Sequence, residues 1–254
     1  MATLDGKVVW ITGAGSGMGL SAARQLAAAG ATVAMSGRRA DVLEREAVSI
    51  RTAGGKAEIE ALDVGNAASA QRVADAILSR HGRIDILVNS AGLNSPQRSW
   101  RDQTVASWDE VIRINLDGTF HCIRAVLPSM RARKDGLVIN IASWAGKYTL
   151  AMAGAAYNSS KHAVVSLTET LNMEECVNGI RACVLCPAEV ATPILDRRPV
   201  PPSSAERARM LQADDIGNAI RWVAEQPPHV CVNEIIISPT WNRMYVGGED
   251  LKPR

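Results

Sequence analysis

Short apolar runs alternate along the chain with longer stretches whose apolar residues recur at helical spacing. Residues 7–12, 31–35, 84–88, 137–142 and 180–186 are mostly apolar and end in glycine, proline or polar turn residues. That is the pattern of strands buried on both faces. Residues 56–62 alternate instead, and residues 230–237 close the series. Between the strands the period changes. Leu20, Ala23, Leu26 and Ala27 share one helix face, with Gly30 placed to cap it. Residues 41–52 are amphipathic and stop at Gly54-Gly55, and Asn66 is a cap for a helix carrying Val73, Ala76 and Ile77. A polar loop at 93–104 leads to a long helix through about residue 130. Another helix runs from Tyr157 to about residue 176, and a last one over 214–226 carries Ile216, Ile220 and Val223. Strands joined by helices must lie parallel, with right-handed crossovers. The pattern therefore predicts one doubly wound, Rossmann-like α/β domain over residues 1–254, a seven-stranded parallel sheet with helices on both faces. The tail from Trp241 to Arg254 shows no periodicity.

Composition narrows the setting. With 47% hydrophobic and 21% charged residues the chain can bury a sizeable core. A net charge of +2 asks for neither nucleic acid nor an anionic membrane. No apolar run is long enough to span a bilayer, and the first residues lack a signal-peptide plan, so a cytoplasmic location is expected. Five cysteines scattered through the sequence read as free thiols. Cys183 and Cys186 form a C-x-x-C on a strand, where residues three apart point to opposite faces, so packing rather than a metal or disulfide is expected. No other cysteine–histidine cluster has zinc spacing, and no metal is expected.

The first strand opens into Gly13-Ala14-Gly15-Ser16-Gly17-Met18-Gly19 and then a helix. The G-x-G-x-x-G pattern fails because Met18 occupies its last glycine. The motif T-G-x-x-x-G-x-G fits instead, on Thr12, Gly13, Gly17 and Gly19. Glycines in that context let backbone N–H groups approach a pyrophosphate at a helix N-terminus. Gly13, Ser16, Gly17, Met18 and Gly19 are therefore cofactor-binding candidates. The second strand should end beside the adenosine ribose, where an NAD site places an acid. Here the residues are Ser36-Gly37-Arg38-Arg39, and Arg38 and Arg39 suit a 2′-phosphate, so NADP(H) is favoured over NAD(H). The bland alternative is a solvated arginine pair with Asp41 neutralising one of them.

Tyr157 and Lys161 are one turn apart on one helix face. A phenol of ordinary pKa about 10 is a poor acid–base group at neutral pH. An ammonium roughly 5 Å away, at an effective dielectric near 20, favours the phenolate by about 3 kcal/mol, or roughly two pKa units. Alone, such a pair is as well explained as a surface contact.

Taken in order, Thr12-Gly13-x-x-x-Gly17-x-Gly19, Asp63-Val64, Asn89-Ser90-Ala91-Gly92, Asn115, Ser143, Tyr157-x-x-x-Lys161 and Pro187-x-x-Val190-x-Thr192 resemble the single-domain short-chain dehydrogenase/reductase family. A weaker likeness points to its NADP-dependent 3-hydroxy acid dehydrogenase and clavulanic aldehyde reductase branch. The resemblance implies hydride transfer between a nicotinamide and a small carbonyl or alcohol substrate. It implies a catalytic tetrad of Asn115, Ser143, Tyr157 and Lys161. Ser143 would hold the substrate oxygen, Tyr157 would exchange the proton, and Lys161 would bind the ribose and acidify Tyr157. Asn115 would fix a relay water. Asp63 and Val64 would flank the adenine, Asn89, Ala91 and Gly92 the ribose side, and Pro187, Val190 and Thr192 the carboxamide. A non-catalytic dinucleotide-sensing protein is the alternative on the same fold.

The sequence departs from the family pattern at Ser90, usually asparagine, and at Ala188, usually glycine, and the spacing from Ser143 to Tyr157 is one residue longer. Substrate loops are expected at about 93–104, 144–155 and 188–210. Trp144, Tyr148, Leu150, Met152, Ile194 and Leu195 are their candidate apolar lining. Arg197 and Arg198 are candidates for reaching an anionic substrate, against a solvated-surface alternative. The resemblance, with small apolar residues on several sides of the Tyr157 helix, also implies a homo-oligomer, a tetramer.

Overall fold

Seven strands hydrogen-bond into one parallel sheet in the order β3-β2-β1-β4-β5-β6-β7. The computed structural model describes residues 3–247. Met1 and Ala2, at the start of the stretch read for a signal peptide, and the tail beyond Gly247 lie outside the described residues. In chain order the elements are β1 (Val8–Thr12), α1 (Gly17–Ala28), β2 (Thr32–Gly37), α2 (Ala40–Thr52), β3 (Lys56–Ala61), α3 (Ala67–His81) and β4 (Ile86–Asn89). Then come α4 (Val105–Ile112), α5 (Gly118–Arg133), β5 (Gly136–Ile141), α6 (Ala155–Glu175) and β6 (Ile180–Pro187). The chain closes with α7 (Ser204–Arg207), α8 (Ala213–Ala224), β7 (Glu234–Ile237) and α9 (Arg243–Val246).

The winding explains where a site can form. The chain runs outward through β1, β2 and β3, then returns to lay β4 against the other side of β1. At that reversal the loops after neighbouring strands part and leave a crevice at the strands' carboxyl ends. The central strands are apolar on both faces because helices cover both. One core gathers Leu26, Ile50, Ile216 and Ile220 from α1, α2 and α8 under Ile11, Val33 and Ile139. The other packs Val73, Ile77, Val126 and Met130 from α3 and α5 over Trp10, Leu87 and Val138. Each large apolar side chain so buried contributes about 1.5–3 kcal/mol. Buried polar groups are matched to one another. The Trp10 indole donates to Ser36 Oγ at 2.8 Å, and the Asn140 amide donates to Thr168 Oγ1 at 2.9 Å.

The expected helices are present, with three differences, one of them the unforeseen short helix α7 within the 188–210 loop. The long helix after Thr104 is interrupted by a π-helical turn, Arg113–Asp117, which joins α4 to α5 and carries Asn115. Periodicity over apolar positions does not register one extra residue in a turn. The aperiodic tail contains the single turn α9, with Asn242 Oδ1 accepting from Met244 N at 3.0 Å. The cysteines behave as their strand spacing required: Cys183 belongs to the α1 side of the core and Cys186 to a smaller cluster with Val164 and Val165 on the other. Both are free thiols, and no group of metal-ligating side chains occurs among the described residues. No described helix is long and apolar enough to cross a membrane.

Candidate active site

The first wall of the site is made by backbone. Thr12 is in register with Ser36 of β2 and Asn89 of β4, so the turns after these strands open on one edge. The Ser90 and Ala91 N–H groups both donate to Thr12 Oγ1 at 3.2 Å, which ties the first turn to the one after β4. Gly13 sits at φ 67°, and a Cβ there would stand 2.8 Å from the Ala91 nitrogen. A Cβ on Gly19 would stand 2.5 Å from the Gly13 carbonyl oxygen. Only glycine allows both approaches. Ser16, the N-cap of α1, makes no side-chain capping bond, and the first turn holds no acid. The first amides of α1 are thus left without a side-chain acceptor at the edge of a cleft lined by Ser16, Gly17 and Met18, which suits an anion.

From there the cleft passes Gly37, Arg38 and Arg39 after β2, then Asp63 and Val64 after β3. It continues over Ala91 and Gly92 after β4 and ends at Tyr157 and Lys161. Arg38 and Arg39 are exposed, and neither forms an ion pair with Asp41 or another carboxylate among the described residues. The Asp63 carboxylate accepts from Gly65 N at 3.0 Å and from Arg113 at 3.2 Å, which leaves it fixed at the cleft wall. A dinucleotide fits this donor set: free amides for a pyrophosphate, unpaired guanidiniums near the ribose, and a lysine at the far end.

Lys161 Nζ lies 5.6 Å from the centre of the Tyr157 ring and donates to the Ile141 carbonyl at 2.8 Å. Burial pushes the ammonium down to about 8. Burial also pushes the Tyr157 phenol up from its ordinary value. A Ser143 hydrogen bond and the charges of Arg198 and Arg98 oppose that rise without cancelling it. The expectation of a phenol lowered two units by Lys161 is therefore corrected. Spacing counted the nearby charge but not the desolvation, which favours the neutral phenol. The opposing cations are two loop arginines.

The expected residues do not all reach the cleft. Asn89 is buried, and its amide donates to Asn140 Oδ1 at 2.9 Å rather than towards a ribose. Asn115 is also buried: its Oδ1 accepts from Leu93 N and its amide donates to Leu93 O, both at 2.9 Å. Gly19 supports the turn from behind. Pro187 and Val190 line a second, inner pocket, while Thr192 lines both. Ser143 caps a short turn by accepting from Ala145 N at 3.1 Å and faces the inner pocket.

That inner pocket is walled by all three loops expected to shape it. Trp144, Leu150, Met152, Ile194 and Leu195 line it. Tyr148 does not, and instead stacks on Trp144 with ring centres 4.7 Å apart. Arg198 is part of the wall, whereas Arg197 lies on the cleft. Arg98, Glu189 and Met244 also line it, and sequence reasoning marked none of them. Glu189, buried, accepts from Arg198 at 2.6 Å and from Arg243 at 2.6 and 2.8 Å. Arg243 carries no sequence signal, because its partner is 54 residues away. The cleft and the inner pocket share Met18, Ala142, Tyr157, Thr192 and Ile194, so a cofactor in one and a substrate in the other would meet at Tyr157.

The family model described as short chain dehydrogenase matches residues 7–200. A protein of Streptomyces virginiae provisionally named as the ketoacyl reductase of a monensin polyketide synthase is 41% identical over 199 residues, covering 78% of this chain and 76% of that one. A metagenomic short-chain oxidoreductase solved with NADP is 31% identical with a TM-score of 0.81, over 94% of this chain and 100% of that one. An alcohol dehydrogenase of Thermococcus sibiricus complexed with 5-hydroxy-NADP is 29% identical with a TM-score of 0.83, over 93% and 98%.

Proposed function

Because the chain belongs to the short-chain dehydrogenase family of oxidoreductases, we propose that it interconverts an alcohol and a ketone or aldehyde, using NADP(H) and Tyr157 as the acid–base group. The observation that carries this reading is the meeting of cleft and inner pocket at Tyr157, with Ser143 in the inner wall and Lys161 at the end of the cleft. When bound, the dinucleotide supplies or accepts the hydride. Gly13, Ser16, Gly17 and Met18 hold its pyrophosphate, and Arg38 and Arg39 its ribose phosphate. Ser143 orients the substrate oxygen and Tyr157 gives it, or takes from it, a proton. Lys161, which donates to the Ile141 carbonyl, would hold the dinucleotide at this end of the cleft and places a positive charge beside the phenol. Asn115 acts as a positioning residue. Its amide holds Leu93, and a Cβ on the neighbouring Gly92 would lie 3.6 Å from Lys161 Nζ.

The unpaired state of Arg38 and Arg39 supports the NADP(H) preference, as do the NADP ligands of the two solved relatives. Further parts of the reading are one catalytic domain over residues 1–254, a small-molecule substrate, cytoplasmic action and a homotetramer. Exposed Phe120 on α5 and Met173 on α6 are consistent with helix faces covered by another copy.

Tyr157→Phe tests the reading. It should lower kcat by about 10²–10⁴-fold, the usual contribution of general acid–base catalysis. NADPH affinity, measured by fluorescence titration, should stay within about threefold. Retention of more than a tenth of wild-type turnover would reject Tyr157. A wild-type protein that binds NADPH but oxidises it with no carbonyl compound would favour the dinucleotide-sensing alternative.

A further inference from the structure

Arg98 stands where the inner pocket opens outwards. It lines that pocket with Tyr157 and Ser143, and it also lines an outer cavity with Trp100, His162 and Val200. Arg98, Met152 and Arg198 are the residues common to both, so they stand at the boundary between the two spaces. The inner space is about 120 Å³ against about 1010 Å³ outside, which leaves room near Tyr157 for little more than the reacting end of a substrate. A group attached a few bonds from the carbonyl and directed outwards would therefore meet the two arginines.

On the inner side of this boundary the charges do not balance, while the outer cavity carries the Asp102 carboxylate. Arg98 and Arg198 are cations, and Glu189 is the one carboxylate among the residues lining the inner pocket. Glu189 is already shared between Arg198, at 2.6 Å, and the buried Arg243. Arg98 has no carboxylate within ion-pair distance among the described residues. Its guanidinium donates to two backbone carbonyls, Ser95 O at 2.8 Å and Arg197 O at 3.2 Å. Burial, with repulsion by Arg198, pushes it down to about 10 against the opposing pull of Asp102, so the cation is partly desolvated and only partly compensated. Its position is fixed by the fold. Gly154, at φ 81° just before the Tyr157 helix, lets the Arg98 backbone press against it, since a Cβ there would stand 2.2 Å from Arg98 O. Arg98 is thus clamped against the same helix start that carries Tyr157, three residues on.

We infer that Arg98, backed by Arg198, is an anion-binding group that selects carbonyl substrates carrying a carboxylate a few bonds from the reacting carbon. A partly buried cation without a carboxylate is relieved by binding one, and guanidinium–carboxylate hydrogen bonds are short and directional. This inference rests on the oxidoreductase reading above and adds a substrate class to it. The competing role is a strut: Arg98 joins the 93–104 loop to the loop after Thr192 through the Arg197 carbonyl. The experiment must therefore read a ratio and not a rate.

The probes are short oxo acids of increasing chain length, each paired with its methyl ester, assayed for kcat/KM with NADPH. Wild type should prefer the best acid over its ester by about 10- to 100-fold, the range expected for one charge-assisted contact. Arg98→Gln should lower that ratio at least tenfold, and Arg98→Lys should keep an intermediate value. An unchanged ratio in Arg98→Gln, with both substrates losing in proportion, would leave Arg98 a strut and overturn the inference. So would a wild type that turns over the esters as well as the acids. Tyr157-dependent ester turnover without acid preference removes the inference and leaves the proposed function intact. Turnover of other carbonyl compounds but of no oxo acid in the series also removes the inference alone, and no NADPH oxidation with any carbonyl compound removes both.

Discussion

The dinucleotide cleft and the inner pocket meet at Tyr157, yet different forces hold them. The cleft is a product of strand register. Thr12, Ser36 and Asn89 lie side by side, and the turns beyond them supply amides and glycines. Two of its charged groups, Arg38 and Arg39, stand in solvent and can change without disturbing what lies beneath. The pocket is a product of distant side chains. Glu189, two residues beyond β6, gathers Arg198 from the following loop and Arg243 from α9, and Arg243 reaches on to Glu206 at 3.2 Å. A cleft built from backbone tolerates side-chain change. A pocket held by buried charge does not.

The largest contrast should come from Glu189→Gln. Removing one member of a buried ion pair typically costs about 3–5 kcal/mol, because the partners stay buried without compensation. At roughly 2–4 °C per kcal/mol for a protein of this size, Tm should fall by about 6–20 °C. Differential scanning calorimetry checks it, and a fall under about 3 °C would show that the network is not holding the pocket. The pH dependence follows from the sign of the shift. Burial raises the Glu189 carboxyl, but the Arg243 hydrogen bonds and the Arg198 charge outweigh it and hold the group below its ordinary range. A depressed carboxylate contributes stability that is complete above its unfolded pKa and is lost as pH falls through the folded one. The deficit of Glu189→Gln should therefore be full at neutral pH and shrink on acidification below about pH 4.5.

This contrast also explains what could be read without coordinates. Gly13, Gly17 and Gly19 announce the cleft because a strand, a tight turn and a helix are local events. Tyr157 and Lys161 are legible for the same reason, being one turn apart. Arg98, Glu189 and Arg243 are not, since their roles arise from loops brought together over tens of residues. Asn115 was legible as a motif residue but its π turn was not, and its amide serves Leu93 instead of facing the cleft. The Tyr157 phenol shows the limit in energetic terms. A pairwise charge estimate from spacing leaves out the burial that outweighs the nearby cations, because burial is a property of the whole fold.

A smaller effect, confined to function, is expected on the other side of Tyr157. The double variant Gly37→Asp, Arg38→Ala places a carboxylate at the end of β2 and removes one guanidinium. Wild type should favour NADPH over NADH by at least about tenfold in kcat/KM, and the double variant should lose that preference, as befits one or two charge-assisted contacts. Its Tm should stay close to wild type, because surface substitutions usually change stability by no more than about 0.5 kcal/mol. A wild type that prefers NADH would return Arg38 and Arg39 to the role of surface charges. A large drop in Tm would erase the distinction between cleft and pocket.

The smallest effect should fall at Ala188, where strand register hands over to the loop that carries the ion pairs. The family pattern favours glycine here, which poses one question in two parts: does the added methyl strain the turn, and does it crowd the pocket? The backbone answers half of it: Lys134 is the one non-glycine residue with positive φ among the described residues, so Ala188 occupies a conformation open to any residue. Its N–H donates to Ile237 O at 2.8 Å, which continues the β6–β7 ladder by one more bond. Ala188→Gly should then lose about 0.4–1 kcal/mol through the greater freedom of the unfolded chain, or roughly 1–4 °C in Tm. Its kcat/KM should remain within about twofold of wild type. The other half of the question concerns the pocket, because Ala188 lines it alongside Ser143 and Tyr157. If Ala188→Gly raised kcat/KM tenfold with no change in NADPH affinity, the methyl would be obstructing the reacting end. The small inner space would then be the product of this one side chain, and the boundary between cleft and pocket would lie at Ala188 instead of Tyr157.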